Sequence, residues 1–238
     1  MIYVMKTNSI QPRVNHQSQT HVVIVIDAFR AFSTASYVLA RYPATYIITP
    51  KSEVISRLLV NYIDPLIIGK PEKGVDLAYD IPNSPTRVQE VKITNRNIFH
   101  RTEAGAKGIL FARDADIILA TGFVNADATV KYIKELINPR ITILPMGHEA
   151  ITPSIEDDVC SLYIESLIKN ERLNLASFLP EIRKGSGKYF FSEDQLQYPS
   201  ADFERCLEIR RFNFAIRAIV QDDYAILSRC NVNIEKSP

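Results

Sequence analysis

Val22-Val23-Ile24-Val25-Ile26-Asp27-Ala28-Phe29-Arg30-Ala31-Phe32-Ser33-Thr34-Ala35 is a saturated apolar run that ends on an acid and continues into an arginine and hydroxyls. A short β-branched run with a polar break after it suits a strand covered on both faces, the kind found in parallel α/β sheets. In open sheets of that class, ligands sit beyond the carboxyl ends of the strands. Asp27 to Thr34 therefore occupies the place where a site is expected. A helix N-terminus with free N–H groups beside an arginine binds anions readily. Equally, Ser33 or Thr34 can cap the following helix while Asp27 and Arg30 pair with each other.

Outward from this stretch, strand-like runs at residues 45–49, 65–68, 116–121 and 140–144 alternate with helical periodicity at 34–41, 52–61, 126–137 and 155–169. Repeated β-α units predict an α/β fold. The expected architecture is layered α/β/α, with a largely parallel or mixed sheet and the site at the strand C-terminal ends. From about residue 171 the pattern is less regular. Residues 173–184 and 201–210 read as helices, Gly185-Ser186-Gly187 as a break, and 212–220 as either strand or helix. No linker, low-complexity tract or short repeat divides the chain, so 1–238 reads as one domain.

The 28 Lys+Arg and 27 Asp+Glu leave no general electrostatic footprint for nucleic acid. Cys160, Cys206 and Cys230 form no C-x-x-C pair, which argues against a disulfide framework or zinc knuckle and predicts a reduced, cytoplasmic setting. The first residues hold no apolar signal-like core, and no run approaches the ~18 apolar residues of a membrane span. Neither nucleic acid nor membrane is an expected partner. His16, His21, His100 and His148 have no metal-ligand spacing, and His148-Glu149 lacks the second histidine of H-E-x-x-H. Cys160, beside Val159 and Tyr163 on a predicted helix, reads as a small buried hydrophobe.

Four further clusters carry polar chemistry. Asp80-Ile81-Pro82-Asn83-Ser84-Pro85 closes a loop over 69–85, a length often tied to function; Ser84 and Pro85 also fit the N-cap and first position of a helix. Arg101-Thr102-Glu103-Ala104-Gly105-Ala106 sets a cation and a hydroxyl beside a glycine that an anion could approach, without a P-loop frame, and is equally readable as a solvated turn. Asn125, after Gly122-Phe123-Val124, is either a helix cap or a ligand group. Glu156-Asp157-Asp158 places three acids in one helical turn, a repulsion that a cation or the helix dipole must offset. Ser154-Ile155-Glu156-Asp157 matches a capping box, which accounts for Asp157 and leaves Glu156 for a hard, oxygen-ligated metal such as Mg²⁺.

Taken in order, Val23 to Thr34, Asp80 with Asn83-Ser84-Pro85, Arg101-Thr102 with Gly105, Phe123-Val124-Asn125-Ala126, Gly147 followed by Glu156-Asp157, and the tail Asp202 to Leu207 resemble the 2-phosphosulfolactate phosphatase family. Its members are Mg²⁺-dependent phosphatases associated with coenzyme M biosynthesis. The resemblance implies hydrolysis of 2-phosphosulfolactate to sulfolactate and phosphate by a metal-positioned water, with Mg²⁺ as cofactor and a phosphorylated, sulfonated acid as partner. It implies Asp27, Arg30 and Glu156 as catalytic groups and Asp27, Glu156 and Asp157 as metal ligands. Substrate contacts would come from Ser33, Thr34, Asp80, Asn83, Ser84, Arg101, Thr102, Gly105 and Asn125, with Arg30 and Arg101 as anion clamps. Two places depart from the family pattern: Lys70 follows Gly69 where an acid is usual, and Glu103-Ala104-Gly105-Ala106 replaces a Thr-bearing element. They keep two alternatives open, a silent homologue that binds an anionic metabolite and a phosphatase for a different phosphorylated acid. An aspartyl-phosphate on Asp27 is a secondary route, because Phe29 breaks the D-x-D-x-T pattern. A homo-oligomer is compatible with the sequence.

Overall fold

The computed structural model describes residues 2–4 and 19–231. His16 and most of the leading segment lie outside them. Among the described residues, nine strands form one sheet: β1 Ile2–Val4, β2 His21–Ile26, β3 Thr45–Thr49, β4 Pro65–Ile68, β5 Asn97–Arg101, β6 Ile117–Thr121, β7 Arg140–Pro145, β8 Phe214–Val220 and β9 Ala225–Asn231. Helices α1 Ala31–Leu39, α2 Ser52–Leu59, α3 Pro85–Val88, α4 Ala104–Phe111, α5 Ala126–Lys134, α6 Ile155–Lys169, α7 Leu179–Lys184 and α8 Ala201–Leu207 cover it. The class is α/β with a mixed sheet, as the alternation of the sequence predicts. No helix of the described residues is long and apolar enough to cross a membrane.

The strand order is β1-β7-β2-β6-β8-β9-β3-β5-β4. β2 is paired in parallel on both edges, with β6 and β7. Its side chains divide by the two-residue period of a strand: Val23 and Val25 enter one core, and Val22, Ile24 and Ile26 the other. This explains why five consecutive apolar residues are needed there. Two segments of the sheet are parallel, β1-β7-β2-β6 and β3-β5-β4, and the β8-β9 hairpin joins them through three antiparallel pairings. The two segments therefore run in opposite directions along the sheet.

A flat sheet would send their carboxyl ends apart. Instead the first core holds residues of β2, β3, β5 and β8 together with α1 and α4, and α4 touches strands of both segments. The sheet curls around these two helices, and the carboxyl ends of β2, β7, β4 and β5 border one cavity. A second core packs α5, α6 and the C-terminal elements on the outer face of β2, β6 and β7. A third packs α2 on the outer face of β3, β4 and β5.

Several local expectations are corrected. α1 begins at Ala31 rather than at residue 34, so Ser33 and Thr34 lie in its first turn and do not cap it. The stretch 101–106 is no solvated turn: Arg101 ends β5 and Ala104 starts α4, both unforeseen because alternation is weak there. Residues 173–184 split into a 3₁₀ turn and the short α7, and 212–220 resolves as strand β8. The Ser84-Pro85 pair does open α3, with Ser84 Oγ accepting from Arg87 N at 3.2 Å.

Candidate active site

Asp27 leaves β2 and is held by two backbone donors. Its Oδ1 accepts from Ala31 N at 3.1 Å, so Asp27 itself serves the start of α1. Its Oδ2 accepts from Gly105 N at 2.8 Å, across 78 residues of sequence. A Cβ on residue 105 would lie 2.9 Å from that same oxygen and 2.9 Å from the Phe32 ring, so only glycine permits the approach. Asp27 is buried, and burial pushes its carboxyl up to about 6, with the neighbouring Glu156 adding to the rise and the two backbone bonds opposing it.

Asp157 has a parallel arrangement. Its Oδ1 accepts from Ala28 N and its Oδ2 from Gly147 N, both at 2.8 Å, which ties the loop after β2 to the loop after β7. The capping-box expectation fails here: Ser154 makes no side-chain cap to α6, and Asp157 turns away from its own helix. Burial, then Glu156 and Asp27, push its carboxyl well above the usual range. Glu156 accepts a hydrogen bond from Ser186 Oγ, and burial raises its carboxyl as well. Three mutually repelling acids thus meet at one end of the molecule, although two of them stand about 130 positions from the first.

The cations are arranged differently. Arg30 Nη1 donates to Asp202 Oδ2 at 2.9 Å and to Gln197 O at 2.8 Å, and the expected pairing with Asp27 does not form. Its guanidinium lies over the rings of Tyr198 and Phe190, at 4.7 and 5.6 Å. Arg101, at the end of β5, donates from Nε to Glu72 and from Nη2 to Glu103, each at 3.1 Å. Both arginines are buried and already ion-paired.

A cavity of about 320 Å³ joins these groups. Asp27, Glu156, Asp157, Arg30, Arg101, Asn83 and Thr102 line it, together with Lys70, His148, Ser186, Gln197 and Tyr198. Asn83 Oδ1 is buried there without a partner. Other residues expected at the site support it from behind. Ser33 Oγ donates to Ala28 O, Asp80 Oδ2 accepts from Ile67 N, and Ser84 caps α3. Asn125 is buried and closes its own turn, accepting from Gly122 N and donating to Ala120 O. Thr34 is buried in α1, its hydroxyl unpartnered, and Gly105 acts through its N–H on Asp27. Sequence reasoning missed Asp202 as the partner of Arg30, although it lies in the tail segment that carried part of the resemblance. It also missed the aromatic cover from Phe190, in a 3₁₀ segment, and Tyr198, in a bend beyond it, an irregular setting that leaves no periodic signal.

The donor set suits a hard cation, since Asp27, Glu156 and Asp157 offer only carboxylate oxygens and, among the described residues, none of these three is ion-paired to a guanidinium. Among the described residues, no three His, Cys, Asp or Glu side chains crowd around a single point. That is compatible with Mg²⁺, which takes one or two protein carboxylates and completes its shell with water and substrate phosphate oxygens.

The family model described as 2-phosphosulpholactate phosphatase matches residues 9–185. The chain belongs to this family. Its members are phosphomonoester hydrolases, and the chain is an enzyme of that class. It is 29% identical over 199 residues to a probable 2-phosphosulfolactate phosphatase of Bacillus subtilis, covering 82% of this chain and 85% of that protein. It is also 28% identical over 135 residues to a protein of the same description from Thermus thermophilus, covering 56% of each. The cavity residues Ser186, Gln197 and Tyr198, and Asp202 behind them, all lie past the end of the family match.

Proposed function

We propose that the protein is a Mg²⁺-dependent phosphatase that hydrolyses 2-phosphosulfolactate to sulfolactate and phosphate. The observation that carries this reading is the meeting of Asp27, Glu156 and Asp157, buried and mutually repelling, in a cavity that Arg30, Lys70, Arg101, Asn83 and Thr102 also line. Phosphate-monoester hydrolysis is among the slowest uncatalysed reactions, and the protein's task is to position water and offset charge at the phosphoryl group. One or two of the carboxylates of Asp27, Glu156 and Asp157 would hold the cation, which when bound would neutralise phosphoryl oxygens and activate water.

The chain's own groups supply the rest. Backbone donors at Ala31 and Gly105 fix the Asp27 carboxylate, and those at Ala28 and Gly147 fix Asp157, so neither has to reorganise as charge moves. Arg30 and Arg101 present guanidinium edges to the anion, while Asn83 and Thr102 offer hydrogen bonds. Phe29, Phe190 and Tyr198 restrict water on one side. Attack of water forms the new P–O bond as the ester P–O bond breaks; the attacking water gives up a proton and the leaving alkoxide takes one, so the protons balance. Both Asp27 oxygens already accept hydrogen bonds, which weakens that carboxylate as a nucleophile and favours direct water attack over an aspartyl-phosphate.

Phosphate release from 2-phosphosulfolactate, measured with Mg²⁺ and with EDTA, tests the reading, and release only with metal is expected. A single turnover in ¹⁸O-water should put the label into phosphate. A protein that binds the substrate but releases no phosphate with any divalent metal would instead be a silent anion-binding homologue.

A further inference from the structure

Three cations and a histidine line the cavity, and two of the cations already have partners. Arg30 is neutralised by the fully buried Asp202, and Arg101 is bracketed by Glu72 and Glu103. Lys70 differs. It lines the same cavity, is exposed, and among the described residues has neither an ion pair nor a hydrogen bond. Gly69 governs its place: that residue has φ +144°, and a Cβ there would come within 2.8 Å of Arg101 O, so the chain leaving β4 is pressed against the end of β5. Lys70 thus stands on the wall made by β4 and β5. The acids rise from β2 and the start of α6.

We propose that Lys70 is the specificity-determining residue for a second anionic group of the substrate, the sulfonate on the carbon next to the one that bears the phosphoryl oxygen; this rests on the phosphatase reading above. A phosphorylated, sulfonated acid carries more negative charge than its phosphoryl alone. With both guanidiniums internally paired, the ammonium of Lys70 is the cation with charge to spare for it. The chemistry of the head group agrees. A carboxylate is planar and matches the guanidinium fork, whereas a sulfonate spreads its charge over three tetrahedral oxygens, which a compact ammonium with three rotatable donors meets from any side. The flexible stem of this exposed lysine can reach a group beside a phosphoryl held near the acids.

Steady-state kinetics on 2-phosphosulfolactate and on 2-phospholactate, which lacks the sulfonate, decide the matter. Lys70→Ala should raise KM for the sulfonated substrate about tenfold, as expected for loss of one charge-assisted contact, with kcat within about twofold. KM for 2-phospholactate should stay within about twofold, and Lys70→Glu should widen the gap. Because Lys70 is exposed and unpaired, the variants should melt with the wild type. Equal effects on both substrates, or none on either, would overturn the assignment. Calorimetric binding of sulfolactate and of lactate separates this proposal from the phosphatase reading. If the wild type turns over neither substrate, the phosphatase reading falls. A loss of sulfolactate binding in Lys70→Ala, with lactate unaffected, still supports Lys70, whereas sulfolactate binding that is undetectable or unchanged sinks it.

Discussion

The acids and the arginines of the cavity are built on opposite principles. Asp27, Glu156 and Asp157 are buried together and, among the described residues, have no cation paired to them; burial raises the carboxyl of each. Arg30 and Arg101 are equally buried, yet each has a carboxylate partner within 3.1 Å. Repulsion among the acids is left for something outside the chain to offset, while the arginines are held rigid by neighbours of their own. Rigidity suits a clamp, and unspent negative charge suits a cation site. His100 extends the contrast on the cationic side. It is buried beside Arg101 with Nδ1 2.6 Å from the Tyr46 hydroxyl, and burial, helped by Arg30, lowers its imidazole to about 3, so no further positive charge is added there.

The largest effect should come from breaking the acid set. Asp27→Asn should lower phosphate release by about 10³-fold, the loss of a preorganised charged group at a reacting centre. An activity within tenfold of wild type would remove Asp27 from the centre. Next comes the pairing of the cations. Asp202→Ala leaves the Arg30 guanidinium buried without its partner and should cost about 3–5 kcal/mol in denaturant unfolding. A cost below ~1 kcal/mol would mean that the aromatic stack, rather than Asp202, holds Arg30.

The neutral state of His100 predicts a pH dependence of defined sign. Its folded pKa is depressed, so its contribution is present in full above about 6.5 and is lost as pH falls toward 3, because the unfolded chain takes a proton that the fold refuses. Unfolding free energies of the wild type and of His100→Asn, compared from pH 7 to pH 5, should converge by up to ~1.4 kcal/mol per pH unit below 6.5. Parallel curves would show that His100 takes up its proton as readily in the fold as in the unfolded chain. The smallest effect sharpens the line between the cavity and what lies behind it. Ser84→Ala removes the cap of α3 and should cost about 1 kcal/mol of stability, with KM unchanged.

Much of the fold was legible because local patterns decide it. The β2 run, the later β-α alternation and the full length of α6 follow from apolar spacing alone. β5 and α4 were missed for a physical reason. Asn97–Arg101 alternates poorly because both faces of the strand are covered, and α4 is built of small residues whose role is close approach, as at Gly105. Within the site, residue types were readable but partners were not. Asp157 next to Ser154 looked like a cap, yet its oxygens serve backbone groups 10 and 129 residues away. Asp27 beside Arg30 looked like an ion pair, yet Arg30 finds Asp202, 172 residues on.

The sequence alone determined an α/β chain with an acid at the end of its central strand and further acids opening a later helix, since both features rest on neighbours a few positions apart. It also determined the family, because the order of several short segments survives where most of the chain has changed. Only the tertiary structure decided that the β8-β9 hairpin enters the sheet between its parallel segments and that the sheet curls until four strand ends share one cavity. The same folding neutralised two arginines and left Lys70 free among the described residues. These outcomes depend on pairings across a hundred residues or more, where burial and charge are settled by what the fold brings together.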